Sequence, residues 1–157
     1  MKPLMVIGIG NYLLRDEGIG VHVVHQLLEQ GVPAGVELVD GGTHSYDLLE
    51  FFCQAEKIIV VDAMKAGGEP GAIYRAPVDE LGLKPEKNMI SLHELHFIEA
   101  VEMLRKLGYD PEIIVYGVEP AIIDWGTDLS PQLEAKLPKL LELVNHEITA
   151  LLLESEK

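Results

Sequence analysis

Cysteine is nearly absent from this chain. Cys53 is the single one in 157 residues, which excludes an internal disulfide framework and any cysteine-rich metal site. It sits in an apolar helical stretch and reads as core filling rather than as a nucleophile. Positive charge is also scarce. Twelve Lys and Arg stand against 26 Asp and Glu, a formal net charge of −14. That balance argues against nucleic acid and against anionic membrane surfaces as partners, since like charges repel. Long apolar runs are missing too, and none approaches the roughly 20 residues that span a bilayer. Asn11, Arg15, Asp16 and Glu17 follow the first apolar run with no small-residue cleavage site, so that run is not read as a signal peptide. The expectation is a cytoplasmic protein. What remains is 48% hydrophobic and 24% charged, a globular composition. The length suits one domain, 1–157, with a full core.

One stretch organises the rest: Gly8-Ile9-Gly10-Asn11-Tyr12-Leu13-Leu14-Arg15-Asp16-Glu17-Gly18-Ile19-Gly20. It follows an apolar strand-like run from Pro3 to Ile7. It precedes Val21, Val24, Leu27 and Leu28, spaced as one face of a helix. A strand therefore turns through glycines into a helix, with two acids at the entrance that read as exposed. A dinucleotide fingerprint has a similar shape, Gly-x-Gly-x-x-Gly. Here Leu13 occupies the third glycine position, and Asp16 and Glu17 would repel a diphosphate. A nucleotide-binding module is set aside on that ground. Asp16 also reads as a plain helix N-cap, which leaves Glu17 unexplained.

Further along, Gly31 and Pro33 end the first helix. Val36 to Val39 forms a second strand, closing on Asp40-Gly41-Gly42-Thr43. Tyr46, Leu48, Leu49 and Phe52 mark a second helix with Ser45 as N-cap. Lys57 to Val61 forms a third strand closing on Asp62, and its unbroken apolar character fits burial on both faces. A turn-rich loop from Ala66 to Gly71 leads to a short strand near Ala72 to Arg75, read as an antiparallel edge. Ser91 and Glu94 fit a capping box, opening a helix with His93, Phe97, Val101 and Leu104 inward and Gly108 at its end. Glu112 to Tyr116 forms the fifth strand, followed by Gly117-Val118-Glu119-Pro120. Ser130 and Pro131 start the last helix as N-cap and first residue. Its stripe is Leu133, Leu137, Leu140, Leu141, Val144, Ile148 and Leu151, and Pro138 is expected to kink or restart it. This alternation predicts an α/β fold: a three-layer α/β/α sandwich around a mostly parallel five-stranded sheet. Its strand order is not legible.

Ligands of open α/β sheets bind beyond the carboxyl ends of the strands. Four of the five predicted strands deliver acids there: Asp16 and Glu17, Asp40, Asp62, and Glu119. His93, at a helix start, can join them, and a helix N-terminus favours the neutral imidazole that ligates metal. Close carboxylates repel and need a proton or a cation between them. Two carboxylates and one His, without Cys, suit a borderline ion such as Zn, Ni, Mn or Co. Three protein ligands would leave positions open for water or substrate. Acids at strand ends are also common in purely structural roles. The other histidines read as bystanders. His93-Glu94-Leu95-His96 is one residue short of the zinc-peptidase motif. His22, His25 and His146 read as surface, His96 as a helix flank and His44 as a turn residue. No Ser or Cys occupies a nucleophile elbow.

Five pieces in order, over nearly the whole chain, resemble the NiFe-hydrogenase maturation endopeptidases. They are Gly8-x-Gly10-Asn11-x-Leu13-x-x-Asp16-Glu17-Gly18-x-Gly20, Asp40-Gly41-Gly42-Thr43, Val61-Asp62-Ala63, Ser91-x-His93-Glu94 and Gly117-Val118-Glu119-Pro120. The resemblance implies an endopeptidase that removes the C-terminal extension of a hydrogenase large-subunit precursor after nickel insertion. It implies Glu17, Asp62 and His93 as metal contacts and Asp40 in recognising the nickel-loaded substrate. The nickel would come with the substrate, and zinc or cadmium could substitute in the isolated protein. Glu119 gets weaker support and also reads as a loop cap. Two mechanisms stay open. In one, nickel held by the trio activates a water. In the other, Asp40 or Glu17 is the general base and nickel is a checkpoint; the checkpoint is the preferred reading. The alternative function is a nickel-binding maturation chaperone that does not cut.

Overall fold

The structure is a computed structural model. It describes the backbone of residues 2–43, 45–80 and 92–155, and the side chains of residues 3–43, 49–80 and 98–154. Five strands form one sheet: β1 (Lys2–Ile9), β2 (Val36–Gly42), β3 (Ala55–Ala63), β4 (Ile73–Pro77) and β5 (Glu112–Val118). Their order is β2-β1-β3-β5-β4, with β4 antiparallel to β5 and every other pairing parallel. The edge placement of β4 matches the sequence expectation. Among the described residues four helices cover the sheet: α1 (Ile19–Gln30), α2 (Ser45–Phe52), α3 (Leu92–Lys106) and α4 (Pro131–Ser155). Short 3-10 turns occupy Arg15–Gly18 and Val78–Glu80.

The three layers follow from strand alternation. Leu4 and Val6 of β1, Ile59 and Val61 of β3, and Ile114, Tyr116 and Val118 of β5 face one side. There they meet Ile19, Val23 and Leu27 of α1 and the stripe Leu133, Leu137, Leu140, Val144, Ile148 and Leu151 of α4. Met5, Ile7 and Ile9, Ile58 and Val60, and Ile113 and Val115 face the other side. They meet Phe52 of α2 and Val101 and Leu104 of α3. The unbroken apolar run of β3 is thus buried on both faces, as a central parallel strand requires. Cys53 packs at the margin of the second cluster, half-buried and free.

One sequence expectation changes and a second narrows. Leu28 is 60% exposed rather than part of the inward face. Helix α1 begins at Ile19, so its buried face centres on the 19–23–27 row, and Leu28 falls one position past it. Pro138 does not restart α4, which runs as one element through it. Pro138 and Glu134, whose carbonyl loses its helical donor there, are both exposed, so water is at hand for the orphaned group. Ser130 caps α4 as expected: its Oγ lies 3.4 Å from the Leu133 N–H that donates to it, and its carbonyl accepts from Glu134. The capping box at Ser91 and Glu94, the N-cap role of Ser45 and the inward positions of His93 and Phe97 concern side chains outside the described residues.

Candidate functional site

Strand order locates the site. β1 lies between β2 and β3, so the chain leaves β1 toward one side and later returns to the other. That reversal opens a crevice at the carboxyl ends of β1 and β3. The loop after β1 carries Glu17, and Asp62 is the penultimate residue of β3. Gly10 shows how tightly they meet. A Cβ there would lie 2.0 Å from the Glu17 carbonyl oxygen and 3.4 Å from Asp62 Oδ1, and its φ is +131°. Gly20 is equally constrained, because a Cβ there would lie 2.1 Å from the Val61 carbonyl oxygen. The glycines of the organising stretch therefore allow the 3-10 turn and the start of α1 to rest directly on β1 and β3.

Asp62 is 8% exposed, and its Oδ1 accepts from the Ala63 N–H at 2.8 Å. By alternation with Ile58 and Val60 it belongs to the face covered by α2 and α3. His93 is the second residue of α3, the helix on that same face; its side chain lies outside the described residues, as does that of His96. Glu17 is half-buried on its 3-10 turn. The structure thus brings the Glu17 turn and Asp62 together.

Asp16 overturns its expectation. It is fully buried rather than exposed, and it does not cap α1, whose N-cap position is Gly18 with no side-chain hydrogen bond. Its Oδ2 accepts from the Ala121 and Ile122 N–H groups at 2.8 Å each, and its Oδ1 from Ser130 at 2.7 Å. The preceding Arg15 has φ 48°, a left-handed conformation that turns the chain inward here. Backbone bonds add to the lacing: Arg15 N–H donates to Gly126, Gly126 N–H to Leu13, and Asp16 N–H to Ile122. Asp16 therefore ties the Glu17 turn to the loop between β5 and α4.

Asp40 stands elsewhere. It pairs in register with Gly8, whose absent side chain would face Gly20 of α1. Asp40 is thus on the α1 side of the sheet, opposite Asp62. It is exposed; its Oδ1 accepts from the Gly42 N–H at 3.1 Å and its Oδ2 lies 3.5 Å from His25 Nε2. His25, read from sequence as plain surface, is therefore Asp40's neighbour. His22 is half-buried, with Nε2 3.0 Å from the Thr127 carbonyl oxygen. Burial lowers its pKa, against the pull of that carbonyl. The Tyr12 ring lies 4.9 Å from the His22 ring and 5.5 Å from the His25 ring. His146 is on the surface as expected, and His44 lies outside the described residues.

Glu119 fills the plainer of its two roles. It is 7% exposed, and its Oε1 accepts from Ala66 N–H, Gly68 N–H and the Tyr74 hydroxyl, each at 2.9 Å. It closes the glycine-rich loop before β4. Burial and this acceptor both raise the Tyr74 pKa. Among the described residues no group of three or more His, Cys, Asp and Glu is arranged to hold a metal ion. The described part of the implied trio is its two carboxylates. Among the described residues no helix is long and apolar enough to cross a membrane.

The hydrogenase maturation protease family model matches residues 21–147. The hydrogenase expression/formation protein HupD of Bradyrhizobium diazoefficiens is 33% identical over 143 residues, covering 89% of this chain and 74% of its own. The hydrogenase 2 maturation protease of Escherichia coli is 32% identical over 143 residues, covering 90% of this chain and 87% of its own. Among solved structures, the hydrogenase maturating endopeptidase HybD from E. coli superposes with a TM-score of 0.83 at 33% identity, covering 94% of this chain and 93% of that one. A family model over most of the chain, relatives above 30% identity and a shared α/β architecture agree: the chain belongs to the hydrogenase maturation protease family and is a peptidase.

Proposed function

We propose that this protease removes the C-terminal extension of a NiFe-hydrogenase large-subunit precursor after nickel insertion, reading the substrate's nickel through Glu17, Asp62 and His93. The observation that carries the proposal is the meeting of the Glu17 turn and Asp62 across Gly10, at the sheet's switch point. Two carboxylates and an imidazole suit nickel, and zinc or cadmium could occupy the same donors in the isolated protein. Asp62, nearly buried, supplies charge where the local dielectric is low and attraction to a cation is strong. Nickel here is part of the substrate and acts as a checkpoint: only a loaded precursor seats its scissile peptide over the crevice. Hydrolysis then needs a water and a base. Glu17 is the base candidate at the crevice, whereas Asp40, on the other face beside His25, fits recognition of the loaded precursor. The reaction takes place in the cytoplasm in this reading.

The test is the intact mass of a large-subunit precursor from the same source, nickel-loaded or nickel-free, after incubation with the protease. Loss of a C-terminal peptide from the loaded form alone is the expected result. His93→Ala should abolish processing and leave the circular dichroism spectrum unchanged. Cleavage by that folded variant, or equal cleavage of both forms, would refute the checkpoint. Nickel binding with an intact precursor would mark a chaperone instead.

A further inference from the structure

Apolar side chains are exposed where the core does not use them. Of nine large apolar side chains exposed among the described residues, four (Tyr12, Leu13, Ile123 and Trp125) come from the two loops tied by Asp16. Trp125, the chain's single tryptophan, is 77% exposed, and Leu13 is 53% exposed. Met103, Leu107 and Tyr109, also exposed, lie instead near the link from α3 to β5, at the opposite edge of the sheet. The two loops are joined through their backbones. Gly126 donates to Leu13 and accepts from Arg15, both at 2.9 Å, and Arg15 Nε donates to the Asp128 carbonyl at 3.1 Å. Position 126 must be glycine for this: its φ is +147°, and a Cβ would lie 3.2 Å from Arg15 Cγ. The surface is therefore held in shape before any partner arrives, which lowers the ordering cost of binding.

We propose that Leu13, Ile123 and Trp125 form the docking surface for the substrate chain, gripping an apolar segment within about four residues of the scissile bond. This rests on Glu17 marking the site. Glu17 follows Leu13 by four residues, and four residues span at most about 14 Å. An extended substrate reacting beside Glu17 can therefore reach this surface within about four of its own residues. Exposed Asp124 and Asp128 rim the patch, and the whole chain is strongly acidic, so the fitting segment is apolar with basic flanks. Tryptophan is the residue type most often found as the energetic centre of such contacts.

The single tryptophan makes the test direct. Protein labelled with 5-fluorotryptophan gives one fluorine resonance, from residue 125. Adding unlabelled nickel-loaded precursor should shift or broaden it. Trp125→Ala should raise the KM for precursor about tenfold, the effect of losing about 1.4 kcal/mol of binding, with kcat unchanged. Trp125→Phe should recover most of that loss. With 77% of its surface exposed, Trp125 contributes little to the core, and an unchanged melting temperature checks that the variant folds. Normal cleavage with an unmoved resonance and an unchanged KM would overturn the docking surface and leave the proposed function standing. A moved resonance without cleavage would uphold the surface and overturn the hydrolytic reading. Neither cleavage nor movement would overturn both.

Discussion

Replacing Asp16 by Ala removes the acceptor of three backbone N–H groups, those of Ala121, Ile122 and Ser130. Their surroundings set the cost. Ser130 is wholly buried, so its N–H has no water to turn to, a loss of about 2–3 kcal/mol. Ala121 and Ile122 are half-buried and can recruit water, at about 1 kcal/mol each. The expected loss is about 4–5 kcal/mol, a large part of the roughly 5–15 kcal/mol that holds a domain folded. Asn at the same position can keep its carbonyl toward Ala121 and Ile122, but its amide then confronts the Ser130 N–H. That variant should lose about 2–3 kcal/mol. Urea denaturation followed by circular dichroism measures both. With an m-value of about 2 kcal/mol/M, the midpoint should fall by about 2 M for Ala and about 1 M for Asn. The Asn variant discriminates between roles. Asn caps helices as well as Asp does, so an N-cap at Asp16 would tolerate it. An Asp16→Asn midpoint within about 0.3 M of wild type would refute the buried-clamp reasoning.

Two further outcomes follow from the same geometry. Gly10→Ala drives a methyl into the Glu17 carbonyl at a φ of +131°; the turn must shift, and processing should slow by about a hundredfold, a wild-type rate of precursor cleavage counting against the site. Glu147 gives a pH signature: burial raises its pKa, but hydrogen bonds from Arg75 at 2.6 Å and Tyr116 at 2.8 Å outweigh this and hold it below 4.5. A carboxyl depressed by folding stabilises fully above its unfolded value and loses that contribution as pH falls through its folded value. Tyr116, pushed up to about 12 by burial and Glu147, remains a donor throughout. Glu147→Gln should therefore melt below wild type at neutral pH and converge with it below pH 4.5, and a gap that stays constant into acid would refute the assignment.

The elements were legible because their signals are local. The continuous apolar run of β3 and the 3–4 spacing of α4 each follow from burial on a single element. Strand order was not legible, because nothing in β1 names its neighbours; β2 and β3 are both apolar and both follow a helix. The faces were only half legible. Asp40 and Asp62 end strands at the same edge, and that edge alone groups them as one cluster. Alternation separates them: Asp40 shares a face with Gly8, while Asp62 shares one with Ile58 and Val60. Recognising this needs the register of β1 against β2, a tertiary fact.

The roles of the acids were the least legible. Asp16 and Glu17 are adjacent, equally acidic and equally placed before α1, and no local signal separates them. The donors that decide the matter lie 105, 106 and 114 residues further along the chain. Once three N–H groups have claimed Asp16's oxygens in a buried site, its lone pairs have no route to a substrate. Glu119 is likewise nearly buried, and its Oε1 already takes three donors. Of two neighbouring carboxylates on one tight turn, the buried one, Asp16, builds the loop, and Glu17 is only partly covered. The family resemblance also selects Glu17. The hydrogen bonds supply a physical reason to set Asp16 aside, and it is independent of any relative.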